Sequence, residues 1–139
     1  MRTVLWANVL VDGVVHSDEQ DRHALYRHAD RLDSLARGLG LPSFAAACDT
    51  TDMRYVFEDL ELPAGMTSTS EVMAATGAWL ARDEAMRMLD GLIAHIRARD
   101  VRFGLLRNQQ ADVLAELDAV RAFLDGRPDA QKFNFAVVA

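Results

Sequence analysis

Short runs of β-branched and aromatic residues stand at both ends of this chain, and helical patterns fill most of the sequence between them. The first run is Thr3–Val11 and the last is Phe133–Val138. Each run is too apolar to lie exposed, and neither can pair its own backbone groups. The pattern therefore predicts one sheet that contains both runs, with helices packed against it.

A hairpin is predicted directly after the first run, at Val11–Val14, where the residues read VDGV. Asp-Gly between apolar residues favours a two-residue turn, because both central residues of that turn need a positive φ. In this register Val9 lies opposite His16. The first strand is apolar on both faces, so we expect an interior strand or one that is covered on both sides.

Apolar residues recur at helical spacing over several longer stretches. A capping box at Ser17–Gln20 predicts the start of the first helix, whose apolar stripe runs from Leu25 to Leu39. A second capping box fits Ser68–Glu71, whereas residues 53–62 favour neither helix nor strand. Further helices are expected near Ser43–Cys48, Arg82–Arg99 and Gln109–Leu124.

These elements predict a single α+β domain over residues 1–139. Its small, mainly antiparallel sheet consists of the N-terminal hairpin and the C-terminal strand, and about four helices pack on it. The length of 139 residues is that of one ordinary domain.

Charge and composition narrow the classes of function. The formal charge of −6 and the pI near 5.1 argue against non-specific nucleic-acid binding. No stretch approaches the roughly 18 apolar residues of a membrane-spanning helix. The first apolar run carries Asn8 and no small-residue cleavage site, so it fits a strand better than a signal peptide. We expect a cytoplasmic protein that works without nucleic acid, membrane or cofactor.

Cys48 is the single cysteine, which excludes an internal disulfide and a multi-cysteine zinc motif. Its neighbours Asp49 and Asp52 are acidic, and negative charge raises the pKa of a thiol. We expect Cys48 to be buried and unreactive. His28 and His95 border apolar stripes and are expected to be boundary or hydrogen-bonded core residues rather than catalysts.

One candidate for chemistry lies where the hairpin meets the first helix. Imidazole and carboxylate groups bind first-row metal ions, and Glu19 and His23 are four residues apart, on one face of the predicted helix. The candidate metal ligands are His16, Asp18, Glu19 and His23. The structural alternative is that acidic residues in a first helical turn simply complement the helix dipole.

A second candidate is a basic patch in which Asp100 is the single opposing charge. Its members are Arg97, Arg99, Arg102 and Arg107. Guanidinium groups suit bidentate contacts with phosphate or carboxylate, so the patch predicts a small anionic ligand. Alternatively, it could meet segment 49–71, where six acidic residues face one arginine, within the chain or across a dimer.

Trp79 precedes the predicted 82–99 helix. A tryptophan at such a boundary can complete the core, line a pocket or anchor a partner. We therefore include it among the candidate ligand-binding residues.

No phosphate-binding loop, dinucleotide fingerprint, nucleophile elbow or zinc-protease motif occurs in the sequence. The leading hypothesis is a non-enzymatic protein-interaction or regulatory module that works as a homodimer or with another protein. The homodimer is expected because an apolar strand face or edge is commonly covered by a second copy. The alternatives are a metal-assisted hydrolase and a sensor of a small anionic ligand.

Overall fold

The first and last strands are neighbours in one sheet of the computed structural model, which describes residues 2–139. Within this range the strands are β1 (Val4–Val11), β2 (Val14–Ser17), β3 (Cys48–Asp49), β4 (Leu80–Ala81) and β5 (Lys132–Val138). β1 and β5 are antiparallel and pair along almost their whole length, from Val4 opposite Val138 to Leu10 opposite Lys132. The prediction that one sheet contains both end runs is confirmed.

The β1–β2 hairpin has the predicted register, with Val11 opposite Val14 and Val9 opposite His16. Its two central residues, Asp12 and Gly13, have φ angles of 49° and 78°. These positive values match the right-handed twist of the flanking strands.

The other side of β5 is lined by two strands of two residues each. β3 runs parallel to it and β4 antiparallel, so the strand order is β2-β1-β5-β3 with β4 also on β5. The predicted α+β class and mainly antiparallel sheet are confirmed.

Six α-helices are present in the described part of the chain, where the sequence predicted about four. They are α1 (His23–Arg27), α2 (Ala29–Gly38), α3 (Thr51–Phe57), α4 (Thr69–Thr76), α5 (Arg82–Arg99) and α6 (Gln110–Asp125). The long helices α5 and α6 agree with prediction, and a 3₁₀ turn at Ala45–Ala47 replaces the short helix expected after Ser43. None of the helices in residues 2–139 is long and apolar enough to cross a membrane.

The predicted helix start at Ser17 is wrong, because α1 begins only at His23. Residues 18–22 continue alongside β1 instead: the Asp18 N–H donates to the Ala7 carbonyl, and the Arg22 N–H donates to the Leu5 carbonyl, both at 3.0 Å. Backbone groups that pair with a strand cannot also form a helical turn.

The side chains of the expected capping box form turns in this segment between β2 and α1. Ser17 Oγ accepts from the Glu19 N–H at 3.0 Å, and Asp18 Oδ1 accepts from the Gln20 N–H at 3.1 Å. Both bonds span two residues, which is turn geometry. By contrast, Ser68 does cap α4, accepting from the Glu71 N–H at 3.3 Å.

The two faces of the sheet have different neighbours. The first face is apolar along β1 and β5 and packs on α1, α2, α5 and α6; its residues include Leu5, Ala7, Val9, Phe133, Phe135 and Val137. Here the Phe135 ring lies between Phe44, against which it is tilted, and Phe133, which it meets edge-on, with ring centroids 5.0 Å away on each side. The second face carries alternate residues of the same strands, and α3 and α4 cover it.

Candidate functional site

A cleft of about 180 Å³ opens between the second face of the sheet and helices α3 and α4. Its polar lining consists of Asn8, Ser17, Glu19, Asp52, Thr69 and Ser70. Its apolar lining consists of Trp6, Val15, Met73, Ala136 and Val138. Two carboxylates contribute to this surface, and no basic side chain is among the described residues that line it.

A buried pair of asparagines, one on each central strand, lies at the second face of the sheet, and Asn8 of this pair lines the cleft. Asn8 and Asn134 are 2% and 0% exposed. Asn8 Nδ2 donates to Asn134 Oδ1 at 3.0 Å, and Asn134 Nδ2 donates to the Ala78 carbonyl at 2.9 Å. This chain of bonds fixes both amides, because each donor faces an acceptor that cannot donate in return.

The acidic residues of the cleft come from two separate segments. Asp52, in the first turn of α3, accepts a hydrogen bond of 2.8 Å from Thr69 Oγ1 in α4 and so joins the two helices. Glu19 also lines the cleft, from the turn-forming segment that follows β2, where its φ is 51°. Both carboxylates therefore face a cleft that has an apolar wall and hydrogen-bond acceptors.

Asp49, immediately before α3, holds the cleft's helical wall to the rest of the fold. Its buried carboxylate accepts from the Thr51 N–H at 3.0 Å, from Thr51 Oγ1 at 3.1 Å and from the Ala78 N–H at 2.9 Å. Gly77 is required beside it, since a Cβ there would lie 2.8 Å from Asp49 Oδ1 and 2.5 Å from the Met73 carbonyl. The Asp-Thr-Thr-Asp sequence thus forms a structural junction.

Next to the cleft, the end of α3 and the following loop form what we call the acidic–apolar segment, residues 56–62. All seven residues are exposed, and they alternate between large apolar and acidic side chains: Val56, Phe57, Glu58, Asp59, Leu60, Glu61 and Leu62. Phe57 is 63% exposed and Val56 is 55% exposed. Large apolar side chains concentrated in one exposed stretch are typical of interaction surfaces.

The structure separates the arginines that the sequence grouped together. Arg97 forms an ion pair of 2.6 Å with Asp118 of α6, and Arg107 lies 3.7 Å from Asp112. Arg102 donates to the carbonyls of Gly104 and Leu105 and so shapes its own loop. Arg99 is exposed in the last turn of α5. Among residues 2–139, no ion pair joins these arginines to the acidic residues of segment 49–71.

A feature that the sequence did not reveal lies in this second loop. Leu105 is 96% exposed and Leu106 is fully exposed, although the apolar pattern suggested only a connector. Arg27 of α1 and Arg31 of α2 line shallow grooves beside these leucines, together with Arg107 and Arg102 respectively. We call residues 102–107 the arginine–leucine loop. One sequence signal could have revealed this loop: two leucines stand next to an arginine, and the residues around them follow neither a helical nor a strand pattern.

Trp79 does not join the arginines. Its indole Nε1 donates to the Met73 carbonyl at 2.9 Å, so it ties the segment before β4 to helix α4. The side chain is half-buried. This position suits a structural plug at the edge of the second face better than a ligand contact.

The candidate metal ligands are also dispersed. Asp18 is paired with Arg22 at 3.0 Å, and His23 lies 4.0 Å from Asp21. His16 is exposed on β2, and Glu19 faces the cleft. Across residues 2–139 no group of three histidine, cysteine, aspartate or glutamate side chains is arranged to hold a metal ion. The metal alternative therefore has no support in this geometry.

Cys48 and His28 both lie in surroundings that favour a structural role. Burial, and after it the nearby charge of Asp33, raises the pKa of the Cys48 thiol to about 12, so the thiolate nucleophile is scarce at neutral pH. His28 Nε2 lies 2.7 Å from Gln109 Oε1, and its ring packs edge-on against Phe103. Neither residue lines the cleft.

Comparison with protein-family models, with curated proteins and with solved structures found no match to this chain.

Proposed function

We propose that this protein is a non-enzymatic interaction module that binds a basic protein surface through the acidic–apolar segment. The observation that carries the proposal is the exposure of four large apolar side chains between three acidic ones in residues 56–62. Exposed apolar patches rimmed by polar residues mark protein–protein interaction sites, and aromatic residues such as Phe57 are enriched at the cores of interfaces. The surrounding negative charge steers a positively charged partner and selects against acidic ones.

The chain's own arginines leave this segment available. Arg54 is the one basic residue within segment 49–71, and it lies 3.9 Å from Glu58 in an exposed pair that contributes little. The net charge of residues 56–62 is −3, from Glu58, Asp59 and Glu61. A cytoplasmic partner is part of the proposal, since the sequence favours that compartment.

The test is affinity capture with the purified full chain, followed by binding measurements with the captured protein. The Phe57→Ser/Leu60→Ser variant and the Glu58→Lys/Asp59→Lys variant should each weaken binding at least about tenfold, as for one interface hot spot. The matched control is Leu105→Ser/Leu106→Ser, which removes two exposed apolar groups, more exposed than Phe57 and Leu60, from basic surroundings. A partner lost only with the control variant would contradict the proposal, and so would an acidic partner.

The homodimer stays a prediction. Its original reason does not hold, because β1 and β5 are the central strands of the sheet and helices cover both of their faces. A second copy could still set its arginine–leucine loop against the acidic–apolar segment, since the two surfaces have opposite charge. Light scattering over micromolar concentrations tests this, and a strict monomer would exclude it.

A second candidate function is binding of a small anion at the arginine–leucine loop. The observation that favours it is the groove in which Arg27 and Arg107 lie together with Gln109. Phosphate- and carboxylate-bearing metabolites should then raise the melting temperature of the protein but not that of Arg27→Ala/Arg107→Ala. An absence of any such shift would remove this candidate.

A further inference from the structure

We propose that the cleft between the second sheet face and helices α3 and α4 is a receptor for one basic side chain, an arginine or lysine of the partner. This inference rests on the proposed function and names the group that the partner would insert. It concerns residues that lie beside the acidic–apolar segment but do not belong to it.

The first argument is the unused acceptor on Asn8. Its Nδ2 group is committed to Asn134 Oδ1 and points its second hydrogen towards Met73 Sδ, 4.0 Å away. Its Oδ1 accepts no hydrogen bond within residues 2–139 and is not among the fully buried atoms that lack a partner, although Asn8 as a whole is only 2% exposed. Because Asn8 lines the cleft, this oxygen is an acceptor that a donor entering the cleft can use.

The second argument is the charge around that acceptor. Glu19 and Asp52 both line the cleft, and no arginine, lysine or histidine is found in its described lining. The remaining polar groups, on Ser17, Thr69 and Ser70, can all accept hydrogen bonds. A ligand that donates several hydrogen bonds and carries positive charge satisfies this set, whereas an anion does not.

The third argument is the apolar wall. Trp6, Val15 and Met73 lie in the same cleft as the two carboxylates. Arginine and lysine place an aliphatic stem behind a charged head, and that stem covers apolar surface while the head stays near polar groups. The aromatic ring of Trp6 adds a surface that attracts cations. A small metal ion would leave this wall unused.

The site can be followed by fluorescence because Trp6 and Trp79 are the two tryptophans of the chain. In a Trp79→Phe background, emission reports on Trp6 and therefore on the cleft. The probes are arginine and lysine blocked at both ends as in a peptide, with blocked citrulline as the neutral isostere of arginine. We expect a saturable change with the two cations, and binding of citrulline at least about tenfold weaker.

Matched single variants test whether the response to blocked arginine comes from the cleft. Asp52→Asn keeps an oxygen that can accept from Thr69, and Glu19→Gln is exposed, so both should fold with an unchanged melting temperature. Each should weaken binding of blocked arginine about tenfold, whereas Glu61→Gln, outside the cleft, should leave it unchanged. No saturable change, an equal response to citrulline, or equal binding by all three variants would overturn the proposal.

Binding of the captured partner to these variants distinguishes failure of the cleft proposal from failure of the proposed function. If the partner binds Asp52→Asn/Glu19→Gln as tightly as it binds the unmodified protein but loses affinity for Phe57→Ser/Leu60→Ser, the function stands and the cleft proposal fails. If blocked arginine binds in the cleft but no partner depends on the acidic–apolar segment, the proposed function fails alone. Agmatine, which carries a guanidinium group, should displace blocked arginine from the cleft. It should bind more weakly than the whole partner does.

Discussion

The two faces of the same sheet have opposite characters. On the first face, β1 and β5 contribute Leu5, Val9, Phe133 and Phe135, and four helices seal them from water. On the second face, the alternate residues of the same two strands include Asn8 and Asn134, and two shorter helices leave a cleft open. The strands are identical in the two cases, so the difference comes from their side chains and from the helices that cover them.

This comparison separates stability from recognition. A close-packed apolar layer contributes free energy of folding but presents nothing that a partner could read. The second face adds less stability but offers specific contacts. It contains amides with a free acceptor and a cleft beside exposed apolar groups. The first face should therefore respond to mutation by unfolding, and the second face by loss of binding.

The largest effect is expected for Phe135→Ala on the first face. Phe135 is fully buried between Phe44 and Phe133, so truncation leaves a cavity and should cost about 3–5 kcal/mol of unfolding free energy. Urea denaturation measures it. Val14→Ala, at an exposed position of the same sheet, is the control and should change stability by less than about 0.5 kcal/mol. A loss below about 1 kcal/mol for Phe135→Ala would show that the first face is not the stabilising layer.

A smaller effect is expected for Asp49→Ala, which removes the anchor of the cleft's helical wall. Three donors lose their acceptor, and the expected loss is about 2–3 kcal/mol. Asp49→Asn retains one acceptor oxygen and should lose about half as much. If the unmodified protein and both Asp49 variants are equally stable in urea, the helical wall of the cleft is held by packing alone.

Acid should weaken the helical layer of the first face through Asp33 of α2. Burial raises the pKa of this carboxyl, but hydrogen bonds from Ser43 and the Ala45 N–H, with the charge of Arg37, outweigh it and leave the pKa below its usual value. A lowered folded-state pKa contributes stability that is present above the unfolded value, about 3.9, and is lost as pH falls through the folded value.

The Asp33→Asn variant tests that assignment. It should be less stable than the unmodified protein near pH 7 by about 1–2 kcal/mol, because it lacks the charged acceptor, and the difference should shrink as pH falls below about 4. Urea midpoints at several pH values measure it. A difference that stays constant with pH would show that Asp33 does not contribute through its charge.

The smallest effect on stability is expected in the acidic–apolar segment. Phe57→Ser removes an aromatic side chain that is mostly in water, so the free energy of unfolding should change by less than about 0.5 kcal/mol. Thermal unfolding followed by circular dichroism checks this. A large loss would mean that Phe57 packs into the fold, and the segment would then be structural.

The sequence predicts the parts of this fold that depend on neighbouring residues. The hairpin turn at Asp12–Gly13, the two end strands and the α5 and α6 helices all follow from local patterns. The start of α1 does not, because its N–H groups at Ala24 and Leu25 are capped by Glu116 of α6, at 3.2 and 3.0 Å. A cap from a residue so distant in sequence leaves no local signal.

The cleft was largely hidden for the same reason. From the sequence, Glu19 is a candidate metal ligand or a charge at a helix start, and Asp52 is an acidic neighbour of Cys48 within segment 49–71. Trp6 and Asn8 join them through the pairing of strands and the packing of α3 and α4. One signal was present: Asn8 and Asn134 are polar residues inside two apolar strands, and such residues are seldom buried without a specific role.

The most direct test of the division between the two faces is a two-dimensional amide NMR titration of the full chain with blocked arginine. We expect the largest chemical-shift changes at the side-chain amide of Asn8 and at the backbone amides of Glu19, Asp52 and Ser70. The amides of Leu25 and Leu117, which pack under the first face, should stay in place. An unchanged Asn8 side-chain signal, or shifts centred on the helices of the first face, would contradict the account.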